Sequence, residues 1–202
     1  EDAGVDFRFL PPVEEMYPEG FQTTGHVDRL TRGLCGPFRP GHFDGVATVV
    51  AKLFHIVKPH VAVFGQKDYQ QLAVISRMVQ DLNMDVEIVG APTVREADGL
   101  AMSSRNMYLS PEEREAALCL NESLDLAQRL AGADERDADA IRSAVEAHIR
   151  KAPFTRIEYV RLCHPDTLEE LEKIEQEALL ALAVFVGKAR LIDNRVIRKA
   201  TP

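Results

Sequence analysis

Apolar and polar residues follow two different periods along the first half of the chain. In residues 43–57, apolar side chains recur every three or four positions, which predicts a helix with one wide apolar face. The apolar run 61–65 then predicts a buried strand, helical spacing returns over residues 68–82, and 86–89 is a further apolar run. Helix, strand, helix and strand at this spacing predict βαβ crossovers and a parallel sheet.

The pattern before residue 43 is weaker. Residues 5–10 alternate well enough to predict a strand, which Pro11 and Pro12 would end. A second short strand is predicted over 21–27. Asp28 is predicted to cap a brief helix that reaches residue 34.

A Gly-Ala-Pro sequence at residues 90–92 predicts a boundary, and the pattern of apolar positions changes after Ser110. Ser110, Pro111 and Glu113 occupy the N-cap, N1 and N3 positions of a predicted helix that runs to about residue 130. The remaining predicted elements are a helix over 137–151, a strand over 157–162, a short helix over 168–174 capped by Asp166, and strands over 179–186 and 189–193. This half therefore predicts helices packed on a small antiparallel sheet.

Composition and charge narrow the classes of function. The net charge of −8 argues against a surface that binds duplex nucleic acid, although one Lys, one Arg and a helix N-terminus suffice for a nucleotide. No stretch is long and apolar enough to span a bilayer, so we expect no membrane contact. The three cysteines lie far apart without zinc spacing, which indicates reduced thiols of a cytosolic protein. The acidic start without Met leads us to expect that the sequence begins inside a longer protein.

The first candidate site follows the predicted strand 61–65. Gly65 would let the backbone approach a ligand closely, and Lys67 could meet a phosphate as a point charge. Asp68 has two interpretations: it either caps the next helix or binds a ribose hydroxyl or magnesium ion. Either Gln70 or Gln71 is expected to point into a pocket, and the sequence does not say which.

The second candidate site is the polar segment 98–106. Ser103 and Ser104 could donate to phosphate oxygens, and the Arg105 guanidinium could neutralise charge as pyrophosphate leaves. The alternative is a serine-rich surface turn. His42 is either structural or catalytic, and at a helix start the structural role is the more common. We expect the two sites to hold the two ends of one nucleotide.

Four segments together resemble a known family in order and spacing. They are residues 39–46 (RPGHFDGV), 64–72 (FGQKDYQQL), 98–106 (DGLAMSSRN) and 189–194 (ARLIDN). They are similar to the pantothenate synthetase family, also called pantoate–β-alanine ligase. The resemblance implies that pantoate and ATP, with Mg²⁺, give pantoyl adenylate and pyrophosphate. The amine of β-alanine then attacks the adenylate to give pantothenate and AMP. It also implies a cytoplasmic homodimer.

The resemblance also implies a fold. We predict an α/β chain with a Rossmann-like parallel-sheet domain over residues 1–92, incomplete at its N-terminus, followed by a small α+β lid domain over residues 93–202. The family fold is related to that of class I aminoacyl-tRNA synthetases, and the 102–105 loop is the counterpart of their lysine-rich signature loop.

The family's functional residues carry over to matching positions in this sequence. Gln71 is the counterpart of a pantoate-binding glutamine, and Lys67 and Arg105 are the expected catalytic residues. The implied ATP contacts are Gly65, Gln66, Lys67, Asp68, Val94 (through its backbone to adenine), Met102, Ser103, Ser104 and Arg105.

One departure from the family pattern affects the expected activity. The family's early histidine-containing phosphate loop and a second pantoate-binding glutamine have no counterpart in these 202 residues. We therefore expect weak or absent catalysis if the molecule is only this long. Two alternatives stay open: a nucleotidylyltransferase of the same fold superfamily, and a non-catalytic fragment that binds ATP or dimerises.

Overall fold

The computed structural model describes residues 4–199, and within them the chain forms two sheets flanked by helices. Helices and strands alternate in the first half, and helices precede an antiparallel sheet in the second, which confirms the predicted α/β class. No helix of this range is both long and apolar enough to cross a membrane. The elements are α1 (Val13–Met16), α2 (His42–Val57), β1 (Val61–Gly65), α3 (Tyr69–Asp81), β2 (Glu87–Ala91), α4 (Pro111–Ala117), α5 (Cys119–Gly132), α6 (Ala138–Ile149), β3 (Thr155–Cys163), β4 (Glu177–Val186) and β5 (Ala189–Arg198).

The first sheet is the predicted parallel pair. β1 and β2 run in register, from Val61 opposite Glu87 to Gly65 opposite Ala91. Helices α2 and α3 cover one face because their apolar positions, including Ala47 and Ile75, form a buried cluster there. Since parallel strands end at the same sheet edge, the turn after β1 lies beside the N-terminus of α3, where α/β proteins bind ligands.

The second sheet has the strand order β3-β4-β5 and is antiparallel. Strand β4 is apolar from residue 178 to its end, and both of its faces are covered. Leu180, Leu182 and Val184 pack against α5 and α6, whereas the intervening Leu179 and Ala181 belong to a different apolar cluster. This two-residue alternation assigns each side chain to one face of the sheet.

The second apolar cluster links the two halves of the chain. It joins Leu34, Phe43 and Val74 from the first half to Tyr159 and Leu179 from the second. The antiparallel sheet therefore packs directly against the start of α2 and the middle of α3. The division at residue 92 stays a prediction, and the residues on either side of it share this core.

Three elements predicted before α2 are absent. Residues 5–10 form no strand and no backbone hydrogen bonds with the rest of residues 4–199, and Phe7 is 96% exposed. Residues 21–27 form no strand and lie against helix α2, where the Gly25 N–H donates to Thr48 Oγ1 at 2.9 Å. Only a 3₁₀ turn, Arg29–Thr31, forms after Asp28, whose carboxylate pairs with Arg32 and caps nothing.

Two helices of the second half also differ from prediction. The helix predicted to run from residue 111 to 130 is two helices, because the Leu118 N–H bonds three residues back, to Glu115 O, and interrupts the ladder. The helix predicted over 168–174 does not form. That segment is irregular. The Leu171 N–H donates to Leu162 O in the neighbouring strand β3, and Leu168 adopts a left-handed backbone conformation with a φ of +58°.

The capping box at the start of α4 confirms the strongest local signal of the sequence. Ser110 Oγ accepts the Glu113 N–H, and the Glu113 carboxylate accepts the Ser110 N–H. We predict that Ser110→Ala lowers the free energy of unfolding by about 1 kcal/mol, because one N–H of the first turn loses its partner. Urea denaturation followed by circular dichroism measures the change. Ser143→Ala, at an exposed position inside α6, is the matched control and should not lower the free energy of unfolding. Equal losses in the two variants would contradict this role.

Candidate functional site

A cavity of about 270 Å³ lies where the turn after β1 meets the antiparallel sheet. Its lining includes six of the residues predicted from the sequence, drawn from both candidate segments: Lys67, Asp68, Gln71, Ser103, Ser104 and Arg105. Four other predicted contacts, Gly65, Gln66, Val94 and Met102, lie around it without forming its wall. The structure thus brings the two polar segments together at one cavity.

Asp68 lies in the turn between β1 and α3 and does not cap the helix. Its side chain accepts no hydrogen bond from the first turn of α3, so the capping alternative is wrong. The carboxylate is exposed, lines the cavity and forms no ion pair within residues 4–199. It is therefore available to a ligand.

Lys67 connects the turn to the second candidate segment. Its Nζ donates to Met102 O at 3.0 Å, and the Met102 N–H donates to Val94 O at 2.9 Å. Partial burial lowers the pKa of Lys67. The negative charges of Asp68 and Asp193 oppose that shift, and the positive charge of Arg105 adds to it. The ammonium thus lies in a partly desolvated position where a negative ligand would favour its charged form.

The 103–105 loop presents its polar groups to the cavity from the opposite side. The Arg105 N–H donates to Ser103 Oγ at 3.3 Å, and Arg105 Nη1 donates to Arg190 O at 2.9 Å. Below the loop, Arg114 pairs with Glu96 and with Asp98, each at 2.6 Å. The loop therefore rests on a charged support outside the cavity.

Strand β5 fixes both segments through two adjacent side chains. Asn194 Nδ2 donates to Gln66 O at 3.0 Å and to Lys67 O at 2.8 Å. Asp193, whose side chain is 1% exposed, accepts two hydrogen bonds from Arg95 at 2.7 and 3.0 Å. Sequence reasoning gave neither residue a role. The available signal was two polar residues in succession directly after the apolar pair Leu191 and Ile192.

Gln70 and Gln71 are adjacent on α3 and have different environments. Gln70 is buried, its Oε1 accepts the Cys35 N–H, and its Nε2 donates to Leu30 O and Gly33 O at 2.8 and 2.9 Å. Gln71 is half-buried and forms no hydrogen bond with residues 4–199 through its side chain. Gln70 therefore holds the 30–35 loop, and Gln71 keeps its amide free for a ligand.

A β-bulge at Glu158 lies behind the part of the cavity wall that Tyr159 and Arg190 form. The pairing of β3 with β4 skips this residue, which re-aims its carboxylate. Glu158 Oε2 accepts from Arg190 Nε at 3.0 Å, and Arg190 Nη2 lies 3.8 Å from Cys35 Sγ. The bulge leaves no recognisable mark in the sequence, so Glu158 was not predicted here.

His42 faces the cavity from the first turn of α2, and its partner is Arg39. The distance between Arg39 Nη1 and His42 Nε2 is 3.0 Å. Burial lowers the pKa of His42, Arg39 and Arg190 lower it further, and Asp68 partly opposes them. Because a guanidinium can only donate, the imidazole is neutral and Nε2 is the acceptor. The structural interpretation of His42 accounts for this contact.

No three or more His, Cys, Asp or Glu side chains within residues 4–199 are grouped closely enough to hold a metal ion. The cavity instead offers donors: Lys67, two serine hydroxyls and three guanidinium groups, against the carboxylates of Asp68 and Asp193. Such a set suits a ligand that carries several negative charges.

Comparison with known proteins identifies close relatives. A family described as pantoate-beta-alanine ligase matches residues 1–196. The pantothenate synthetase of Syntrophus aciditrophicus is 58% identical over 196 residues, which are 97% of this chain and 68% of the relative. That of Moorella thermoacetica is 59% identical over 195 residues, 96% of this chain and 69% of the relative.

Solved structures give the same result. The crystal structure of pantothenate synthetase from Thermus thermophilus superposes with a TM-score of 0.91 at 50% identity, over 96% of this chain and 70% of that one. A pantoate-beta-alanine ligase from Francisella tularensis, complexed with beta-gamma ATP and beta-alanine, has a TM-score of 0.68 at 29% identity. That match covers 91% of this chain and 61% of the other.

The two glutamines of α3 provide a matched test of the site. We predict that Gln70→Ala lowers the free energy of unfolding by about 2–3 kcal/mol, because it leaves buried backbone groups of the 30–35 loop without partners. Gln71→Ala should change stability by less than about 0.5 kcal/mol. Urea denaturation of both variants measures the difference. A Gln71→Ala loss as large as that of Gln70→Ala would show that Gln71 also supports the fold.

The three thiols should differ in reactivity. Burial, with smaller contributions from nearby Glu122 and Glu170, raises the pKa of Cys119 and Cys163 to about 12, so neither thiol ionises at pH 8. Cys35 is only half-buried and lines the cavity. We predict that Ellman's reagent at pH 8 modifies one thiol in the native protein and three in guanidinium chloride. Cys35→Ser should abolish the native reaction. Modification of two or three native thiols would contradict the structure.

Proposed function

The chain belongs to the pantoate-beta-alanine ligase family, and from this premise we propose that it joins pantoate to β-alanine through a pantoyl adenylate, with release of pyrophosphate and AMP. ATP is the nucleotide substrate. Support comes from the Francisella tularensis relative that was crystallised with beta-gamma ATP and beta-alanine.

The observation that carries this proposal is the meeting of four phosphate-binding groups at one cavity. Lys67 comes from the turn after β1, and Ser103, Ser104 and Arg105 come from the facing loop. Lys67 already contacts the backbone of that loop at Met102. A triphosphate between the two segments would meet donors on both sides, which fits the expectation that they hold one nucleotide.

The proposed chemistry needs positioning and charge stabilisation more than proton transfer. An oxygen of the pantoate carboxylate attacks the α-phosphorus of ATP, and the bond from that phosphorus to the pyrophosphate oxygen breaks. Lys67 and Arg105 lie where they can oppose the negative charge of the transferring and leaving groups. The nitrogen of β-alanine then attacks the acyl carbon, the bond to AMP breaks, and the nitrogen loses its proton.

The remaining sites are assigned by position. We assign pantoate to Gln71, whose amide has no protein partner in residues 4–199, and the ribose side of ATP to Asp68. Gly65 and Gln66 complete the turn, Met102 borders the phosphates, and the Val94 backbone would contact adenine. At Gly65 an added Cβ would meet nothing within 4 Å, so the protein itself does not need glycine there. Its absence of a side chain would leave room for the nucleotide.

Magnesium fits this arrangement as a companion of the triphosphate. Mg²⁺ is commonly held by one or two carboxylates together with substrate phosphates. Asp68 is assigned to the ribose side and Asp193 is bound to Arg95, so the substrate phosphates themselves would hold the ion beside Lys67 and Arg105. When bound, the ion would neutralise phosphate charge.

A homodimer and a cytoplasmic location also follow from the family resemblance. Sedimentation velocity at micromolar concentration tests the dimer. The lid role of residues 93–202 is likewise part of the proposal.

Lys67 provides the sharpest test of the mechanism. We predict that Lys67→Ala lowers pantoate-dependent exchange of pyrophosphate into ATP by the equivalent of about 2–4 kcal/mol in kcat/KM, the cost of one lost charge-stabilising donor. Lys151→Ala, at an exposed position after α6, is the matched control and should exchange normally. Near-normal exchange by Lys67→Ala would rule out the catalytic role of Lys67.

The same assay separates the alternatives. Pantoate-dependent exchange followed by amide formation with β-alanine supports the ligase. Adenylyl transfer to a phosphate ester would indicate a nucleotidylyltransferase. A folded sample that binds ATP without exchange would support the non-catalytic alternative.

A further inference from the structure

Four cationic side chains line the cavity, and three of them are already engaged by the fold. Lys67 and Arg105 each donate to a backbone carbonyl, and Arg190 pairs with the partly buried carboxylate of Glu158. Arg39 differs from these three. Its guanidinium is exposed, donates to the neutral imidazole of His42, and forms no ion pair within residues 4–199.

The cations form two groups, one around Lys67 and one around His42, and the charge of Asp68 acts on both. The charges that act on Lys67 are those of Asp68, Asp193 and Arg105. Those that act on His42 are Arg39, Arg190 and again Asp68. Asp68 is thus the neighbour that both groups share. The group around Lys67 and Arg105 is assigned to phosphate, which leaves the group around Arg39 without a ligand.

We propose that Arg39 binds the carboxylate of the amine substrate, a short ω-amino acid, and that His42 positions the guanidinium for this contact. The inference rests on the proposed ligase function and extends it to the second substrate. With its carboxylate held at Arg39, an ω-amino acid can direct its amino end into the cavity, where the acyl carbon would lie.

The charge at this position matches one carboxylate better than a polyphosphate. His42 contributes no charge while it accepts from Arg39, and the charge of Arg190 is compensated by Glu158. The net contribution is one positive charge on a planar group. A guanidinium binds a carboxylate through two parallel N–H groups, and His42 occupies only Nη1.

The test compares β-alanine with 3-aminopropan-1-ol, which has the same amine and chain length and lacks the carboxylate. Dissociation constants are measured by saturation-transfer NMR with pantoate and a non-hydrolysable ATP analogue present. Arg39→Gln should weaken β-alanine binding by about ten- to a hundredfold, the loss of one charge-assisted contact, and leave the amino alcohol unchanged. Arg39→Lys keeps the charge and loses the planar guanidinium. Its dissociation constant for β-alanine should lie between those of the unaltered protein and Arg39→Gln.

Two controls separate the subsite from general damage. Arg32→Gln removes an exposed arginine of the preceding segment, which pairs with Asp28 outside the cavity, and should bind β-alanine as the unaltered protein does. His42→Gln retains a polar side chain that can accept from Arg39 and should bind more tightly than His42→Ala. Equal melting temperatures of all variants would show that the comparison reports binding.

The outcomes distinguish this inference from the function on which it rests. Unchanged β-alanine affinity in Arg39→Gln, or no binding to the unaltered protein, overturns the subsite. An equal loss of ATP affinity and pyrophosphate exchange would make Arg39 a phosphate ligand and also overturn it. Missing exchange in the unaltered protein contradicts the ligase reaction alone, since the dissociation constants still decide the role of Arg39.

Discussion

The buried ion pair between Asp193 and Arg95 is the constraint on which the candidate site depends. An ionised carboxylate that is almost completely buried costs several kcal/mol unless it is paired, so Arg95 must lie beside it. The two hydrogen bonds of the guanidinium fix the start of the 95–105 segment against β5. The next residue, Asn194, holds the carbonyls of Gln66 and Lys67. One short stretch of β5 thus sets the distance between the turn and the facing loop, and with it the space for a ligand.

The cavity wall also shows how the fold divides its polar groups. Three pairs of like polar residues in the wall show the division, and in each pair one residue is engaged by the protein while the other faces the cavity without an equivalent partner in residues 4–199. The pairs are Gln70 and Gln71, Asp193 and Asp68, and Arg190 and Arg39. The engaged members are satisfied by buried or half-buried partners, which holds the wall in one conformation. The free members can then bind ligand without rearrangement of the wall, which is the physical meaning of a preorganised site.

The sequence predicted what depends on local periodicity and capping, and missed what depends on distant contacts. The helices at 42–57 and 69–81, the parallel pair and the capping box at Ser110 all follow from side-chain spacing. The non-helical segment 168–174 and the break at Leu118 do not. Contacts with β3 override the helical preference of the first, and a hydrogen bond from the Leu118 N–H to the carbonyl three residues back interrupts the helix at the second. In the site, Lys67 and the 103–105 loop were found from residue type and position. Spacing alone does not separate Gln71 from Gln70, and it gives no sign of the bulge that aims Glu158 at Arg190.

The arrangement of charge explains how an acidic protein can attract anionic substrates. The chain carries a net charge of −8, yet four cations and two carboxylates line the cavity. Salt limits the reach of surface charge to about 8–10 Å, so an anion at the cavity responds mainly to this local excess. ATP with Mg²⁺ would neutralise the group around Lys67 and Arg105, whereas Arg39 donates to His42 and forms no ion pair within residues 4–199. Arg39 therefore keeps its charge when the nucleotide is bound. β-Alanine is a zwitterion, so a positive charge at Arg39 can hold its carboxylate while its amine remains free to react.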